Sequence, residues 1–501
     1  MRNTLGWWAV VVVSLQGCAG LPPQPGLPAI ALPAAWSEAA GPADAASAGA
    51  HATSLVQWWR RFNDPLLATL ISQALRANTS VQSAQAALQQ ARAARDVAAA
   101  ALSPHVTGSA GAQRSKAGDA SANNTFNAGF DASWEPDVFG GNRSALRADE
   151  ASAQAAAASL ADVQISISAE VAVSYIQLRG AQARLLIARE NLRSQLETLQ
   201  LTDWRVQAGL LTSLEGEQAR AASEQTRAQI PALETGLAQL RHSLALLCGQ
   251  APDALRAPLA GEGAVPAGPA IPAAQDDLAV SLPADTLRQR PDVRAAEQQV
   301  SAALARVDQA DAARYPGFQL GGSLGLRAMT LGGLSGGGAL ATSLLASISG
   351  PLFDAGASLA QVRVQQGALE QARQAYRSTV LTALKDVEDA LAALGGDRER
   401  RLHLQKAVEA AANAALLARQ RYASGLIDFQ TVLETQRSLY STQDALASTS
   451  TDLGADHVRL YKALGGGWQP DRNITDDAAS AIVNKTATVF GKPDHPISLT
   501  Q

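Results

Sequence analysis

Few residues in this chain have the types and spacing that covalent chemistry requires. Gly321-Gly322-Ser323-Leu324-Gly325 and Gly333-Leu334-Ser335-Gly336-Gly337 both fit the Gly-x-Ser-x-Gly pattern of a serine nucleophile. That chemistry needs the serine on a strained turn from strand into helix. The first sits instead inside an alternating apolar/polar run, and the second in a glycine-rich loop. The six histidines, His51, His105, His242, His403, His457 and His495, show no zinc-ligand spacing. No phosphate-cradling Gly-x-x-x-x-Gly-Lys-Ser/Thr motif occurs. The expectation is no enzyme: no catalytic residue, no metal and no cofactor.

The remaining reactive groups are two cysteines, Cys18 and Cys248, too few for a disulfide framework. Arg2, the apolar run from Leu5 to Leu15 and Gln16-Gly17-Cys18 make a secretory signal over residues 1–17, too short to span a bilayer. Leu15-Gln16-Gly17-Cys18 looks like a bacterial lipobox, in which the cysteine is acylated and becomes the new N-terminus. Gln16 departs from the usual small or apolar residue there. The alternative is an ordinary signal peptide with an incidental cysteine. Ala19 stands where an inner-membrane retention signal would place Asp, which favours the outer membrane. Cys248, within Leu244-Ala245-Leu246-Leu247-Cys248, reads as a small core residue.

Composition bounds what the body can be. Of 501 residues, 47% are hydrophobic and 17% charged, which excludes a disordered chain. No second long apolar run reads as a membrane helix. The net charge of −4 offers nucleic acid no basic surface. Residues 18–54, rich in Pro and Ala, read as a lipid-anchored tether, and 468–501 as a flexible C-terminal tail. Between them the chain repeats itself, over 55–250 and 281–467, with 251–280 as a linker. Phe139-Gly140-Gly141-Asn142 has a counterpart in Phe353-Asp354-Ala355-Gly356, and Arg205-Val206-Gln207-Ala208-Gly209-Leu210 in Arg421-Tyr422-Ala423-Ser424-Gly425-Leu426. Each half reads as a helix, two strands, a very long helix, a glycine turn and another long helix.

Asp64-Pro65 opens a helix running to about Ala101, and Arg290-Pro291-Asp292 one running to about Arg314. From Asn142 to Gly209 only Gly180 interrupts a helix of about 100 Å at 1.5 Å per residue. Leu233, Leu237, Leu240, Leu244 and Leu247, and Leu439, Leu446, Leu453 and Leu460, mark coiled-coil seams. Four segments switch to period two, forming hairpins at about 104–136 and 316–350. Phe126, Phe130 and Trp134 oppose Asn127, Asp131 and Ser133; Leu320 and Leu324 oppose Gln319 and Ser323. Apolar-out, polar-in alternation is the outer-membrane strand signature. Four strands cannot close a barrel, and an open edge in lipid is forbidden. Several chains must share one barrel, and periodicity alone leaves dimer, trimer or tetramer open.

Three stretches carry a resemblance: Trp58-Trp59-Arg60-Arg61-Phe62-Asn63-Asp64-Pro65-Leu66, Trp134-Glu135-Pro136-Asp137-Val138-Phe139-Gly140 and Arg288-Gln289-Arg290-Pro291-Asp292-Val293-Arg294-Ala295-Ala296-Glu297. With Glu434-Thr435-Gln436-Arg437-Ser438-Leu439-Tyr440, they make the chain resemble the TolC-like outer-membrane efflux factors, lipoprotein (NodT-like) branch. The resemblance implies a mainly α fold with a membrane β-barrel, a homotrimer of twelve strands continued by an α-helical periplasmic tube. It also implies outer-membrane lipid around the barrel, and as partners a periplasmic adaptor (membrane fusion protein) and an inner-membrane resistance-nodulation-division transporter. A conduit for type I protein secretion, or a periplasmic coiled-coil lipoprotein, are the alternatives. Gly209 and Gly425 read as the periplasmic tips. Gln430, Glu434 and Arg437 follow at steps of four and three, on one helical face. In the resembled family matching positions line the axial constriction, to which Asp428 is added, and Tyr422 matches a tyrosine tying neighbouring helices shut. Gln430 replaces the family's usual leucine, which favours a hydrated seal. The plainer reading makes Glu434 and Arg437 an exposed i,i+3 pair.

Overall fold

The structure is a computed structural model that describes part of 28–37, residues 55–257 except 117 and 120, residue 259, 271–274 and 283–468. Residues 1–17, read as a signal peptide, Cys18, the chain after Trp468 and much of 251–280, read as a linker, lie outside the described residues.

Asp64 caps helix α1 (Pro65–Ala77), its Oδ1 accepting from the backbone N–H of Leu66 (3.0 Å) and Leu67 (3.1 Å). The helix does not continue to Ala101. Asn78, in extended backbone, ends α1 and opens α2 (Thr79–Ala100). Its Oδ1 accepts from Ser80 N at 2.8 Å, and its Nδ2 donates to the Leu247 carbonyl at 2.9 Å. A short amide side chain that can replace backbone partners makes such a break stable. Strands β1 (His105–Ser115) and β2 (Asn123–Trp134) follow, then α3 (Gly141–Gln207) and α4 (Ser213–Leu247). The second half has a short α5 (Pro283–Gln289), α6 (Pro291–Ala312), β3 (Gly317–Ala328), β4 (Leu340–Ser349), α7 (Ala357–Ala423) and α8 (Phe429–Ala463).

The two halves match in length helix for helix: α2 and α6 have 22 residues each, α3 and α7 have 67, and α4 and α8 have 35. Three pairs of left-handed glycines stand at equal spacing: Gly140 with Gly356, Gly209 with Gly425, Gly249 with Gly465. This spacing of 216 residues corrects the alignment of Phe139 with Phe353, which is two residues out of step. What repeats there is the launch of the long helix rather than the aromatic ring. Asp137 accepts from the backbone of Asn142 and Arg143 (3.1 and 2.9 Å), and Asp354 from that of Gly356 and Ser358 (2.9 and 2.8 Å).

Helix α3 is the centre of the packing, lying against α2, α4, α6 and α8. It carries an 18-residue stretch apolar enough by composition to cross a bilayer, which the sequence reading overlooked, and part of that stretch is buried in protein. The largest core joins α1, α3, α4 and α8 around fully buried Trp58, which stacks on Tyr461 at 5.4 Å. Tyr175 donates to Asp64 Oδ2 (2.7 Å) and accepts from Arg179 Nε (2.9 Å), while burial raises its hydroxyl pKa. Leu237, Leu244, Leu247, Leu453 and Leu460 are buried, as the leucine seams require. Cys248 is buried beside the Leu70 carbonyl, and burial pushes its thiol up to about 11. The stretch before residue 55 is not simply a tether, because Trp36 is buried against Val387, Leu391 and Leu394.

The four strands form one antiparallel sheet in the order β1-β2-β3-β4. Phe126 faces Ala328, Phe130 faces Leu324 and Trp134 faces Leu320, while Leu320 is level with Ala346 and Phe318 with Ile348. One face is therefore apolar across the sheet. The other carries Asn127 beside Arg327, Asp131 beside Ser323, and a Ser323–Ser343 hydrogen bond of 2.7 Å. Leu345 is an apolar exception on this polar face. Gly129 and Gly325 face each other there, where a methyl group on Gly129 would lie 2.8 Å from the Gly325 backbone. Nothing among the described residues covers the apolar face: Leu344 is 88% exposed and Phe130 64%. A sheet in water would bury such residues.

Candidate functional site

The tip of the long helices is built by two equivalent turns. Gly209 and Gly425 both have φ of 72°, which a residue with a Cβ adopts only at a cost. At each turn two backbone bonds close the helix end: Gly209 N–H to Val206 O and Leu210 N–H to Arg205 O, then Gly425 N–H to Tyr422 O and Leu426 N–H to Arg421 O. These satisfy carbonyls that a helix end leaves without partners.

Arg205 joins the two tips. Its guanidinium donates to the carbonyls of Tyr422 (3.0 Å) and Ala423 (2.8 Å) and lies 4.7 Å from the centre of the Tyr422 ring. A cation at the C-terminus of α7 also meets the negative end of the helix dipole. Tyr422 is buried against Phe429, with ring centres 5.7 Å apart. Its hydroxyl is enclosed and has no hydrogen-bond partner among the described residues. The ring packs against Phe429 and Arg205, and among the described residues the hydroxyl contributes no bond. Sequence reasoning singled out Tyr422 and missed Arg205, although Arg205 opens the repeated Arg-x-x-x-Gly-Leu motif.

On α8, Phe429, Val432, Leu433 and Gln436 face inward, while Gln430, Glu434 and Arg437 share the exposed face. Gln430 Nε2 donates to Glu434 Oε1 at 3.2 Å. Glu434 and Arg437 form no ion pair among the described residues, so the plain i,i+3 pairing is not found. Asp428 caps α8, accepting from the backbone N–H (2.9 Å) and the hydroxyl (2.5 Å) of Thr431. The hydroxyl bond and then the backbone bond hold its carboxyl below the ordinary carboxylate range. Within one chain Asp428 is thus a cap. The serines of the two Gly-x-Ser-x-Gly runs lie in β3 and in a 3-10 turn, where Ser335 donates to the Gly332 carbonyl. No group of three or more His, Cys, Asp or Glu residues that could hold a metal occurs among the described residues.

Helices about 100 Å long, closed at one end by paired glycine turns and carrying at the other a one-sided apolar sheet with open edges, define an outer-membrane channel. The family model for outer membrane efflux protein matches residues 70–250 and 282–466. The pyoverdine export outer membrane protein OpmQ of Pseudomonas aeruginosa is 33% identical over 479 residues, covering 91% of this chain and 96% of its own. The structure of the outer-membrane channel OprN matches with a TM-score of 0.76 at 36% identity, over 83% of this chain and 93% of that one. The open-state outer membrane channel MtrE of Neisseria gonorrhoeae matches with a TM-score of 0.78 at 27% identity, over 89% and 98%. The chain belongs to the outer membrane efflux protein family. It is a TolC-like efflux channel of the outer membrane that extends into the periplasm.

Proposed function

We propose that three copies of this chain form one channel of twelve strands and a helical tube, anchored by a lipid on Cys18. The observation behind this is the four-stranded sheet, apolar on one face and with β1 and β4 each unpaired on one edge among the described residues. Lipid forbids such edges, and joining β4 of one copy to β1 of the next removes them all. The tube delivers small molecules received from a periplasmic adaptor and an inner-membrane resistance-nodulation-division transporter. Relatives named for pyoverdine export and for toluene efflux support small solutes as cargo.

At the tip, the exposed face of α8 turns toward the axis, and three Glu434 carboxylates converge with Gln430, Arg437 and Asp428 near them. Converging like charges attract cations and repel anions. Single-channel recording in a planar bilayer tests this reading. Glu434→Lys weakens cation preference, and Arg437→Ala raises conductance. Unchanged selectivity and conductance in both variants place the constriction elsewhere.

A further inference from the structure

Inside one chain, the first wall unit (α3 and α4) meets the second (α7 and α8) through α3 against α8. They come close at Gly180, where a methyl group would sit 2.0 Å from Thr451 Oγ1. Both residues are buried, and the Thr451 hydroxyl is turned back onto its own helix, donating to the Ala447 carbonyl at 2.8 Å. Only a residue without a side chain fits beneath that threonine.

The 216-residue repeat carries both partners to new places. Gly180 corresponds to Gly396 in α7, and Thr451 corresponds to Thr235 in α4. The residue types are kept at both positions. Thr235 even holds the same rotamer-fixing bond, donating to the Pro231 carbonyl at 2.8 Å. Yet these two do not meet in the chain. Both are exposed, and a methyl group on Gly396 would touch nothing within 4 Å. Gly395 and Gly396 both stand in an exposed helix interior, where glycine is disfavoured relative to alanine. A close-approaching neighbour gives that sequence a reason, and none is present among the chain's own described residues.

We infer that Gly396 of one copy receives Thr235 of the next, so that α7 packs on the neighbour's α4 as α3 packs on α8 within the chain. The partner is a second copy of this chain. The tip supplies a second, separate match. Arg205 clasps the carbonyls of Tyr422 and Ala423, whereas its counterpart Arg421 is exposed and makes no hydrogen bond or ion pair among the described residues. Carried through the same repeat, Arg421 clasps the Val206 and Gln207 carbonyls of the neighbour. The wall becomes a ring of alternating internal and external contacts of one design. This inference rests on the proposal that copies close into a ring, but the number of copies does not enter it.

The test is paired cysteines in the full-length chain in outer membranes. Thr235→Cys with Gly396→Cys gives, after mild oxidation, a ladder of covalent oligomers on non-reducing gels, and neither single variant does. A ladder that closes at three supports both the contact and the trimer. One that closes at another number keeps the contact and overturns the trimer. No ladder from a chain whose native mass in detergent is trimeric overturns the contact and leaves the trimer standing; no ladder from a chain that is not trimeric overturns both. Should the double variant fail to reach the membrane, Gly396→Leu decides instead. Dissociated single chains, reassembled by adding Thr235→Gly, support the contact, and an unaltered oligomer overturns it.

Discussion

At the scale of single residues, the tip of the long helices depends on groups whose partners are backbone atoms. Arg205 is bound to two carbonyls, so Arg205→Lys keeps the charge and loses the planar fork that reaches both. Arg205→Lys is expected to raise closed-state conductance in a bilayer recording, and Arg205→Ala to raise it further. Tyr422 behaves differently, because its enclosed hydroxyl is unmet among the described residues. A buried hydroxyl without a partner costs about 1–3 kcal/mol. Tyr422→Phe is therefore expected to hold or raise the melting temperature in detergent, while Tyr422→Ala lowers it by removing the contacts with Phe429 and Arg205. Two helix caps add a pH dependence. Bonds from Ser358 and Gly356 hold the Asp354 carboxyl at about 2, and Thr431 holds that of Asp428 below its ordinary value. For a depressed carboxyl, the stabilisation is full above the unfolded value near 4 and is lost as pH falls through the folded one. Amide exchange in the first turns of α7 and α8 is expected to quicken between about pH 4 and 2, and Asp354→Asn is expected to remove that dependence from α7.

At the scale of elements, the two 67-residue helices are alike in length and unlike in surroundings. α3 is enclosed by five other helices, and α7 has an open flank. A valine at Gly180 forces its Cβ onto Thr451, and overpacking of this kind costs about 1–3 kcal/mol or more. Gly180→Val is expected to reduce the amount of folded, heat-modifiable protein in outer membranes. Gly396→Val, at the equivalent place in α7, is expected to leave the fold of the single chain intact, as limited proteolysis would show. The break at Asn78 belongs to this scale too. Hydrophobic period alone runs through it, and only the Leu247 carbonyl arriving from α4 explains why the amide prevails over a continuous helix.

At the scale of the whole molecule, the sheet is unstable as a lone unit in either solvent. Its apolar face repels water, and its edges cannot stay unpaired in lipid. Insertion of the sheet and association are therefore expected to be coupled, with native mass spectrometry in detergent showing three chains per particle. A clean dimer would sink the trimer, since eight strands also close a barrel. Replacing Cys18 with Ser is expected to abolish incorporation of a clickable fatty acid, and equal labelling would remove the lipid anchor.

Much of this was legible in the order of residues. Period-two runs located all four strands, because side chains in a strand alternate between lipid and water. The glycines of the tips and the two halves of the chain stood out because a left-handed turn restricts residue type, and a duplicated unit keeps such positions. Glu434, Gln430 and Arg437 share a face simply because a helix turns once in 3.6 residues. Other features had no local signature. The two-residue error in aligning Phe139 with Phe353 arose because the aromatic is free to drift, as the capping aspartates Asp137 and Asp354 do by one residue, whereas the left-handed glycine is fixed by backbone geometry. Trp36 sits in a segment without periodicity, and only the pocket formed by Val387, Leu391 and Leu394 makes it part of the body. Arg205 resembles any surface arginine until the carbonyls of Tyr422 and Ala423 are brought beside it from more than two hundred residues away. Sequence determined the elements and their repetition, since those follow from rules acting over a few residues. Tertiary structure decided which copy of each repeated contact is satisfied within the chain, because that depends on where two distant helices come to lie.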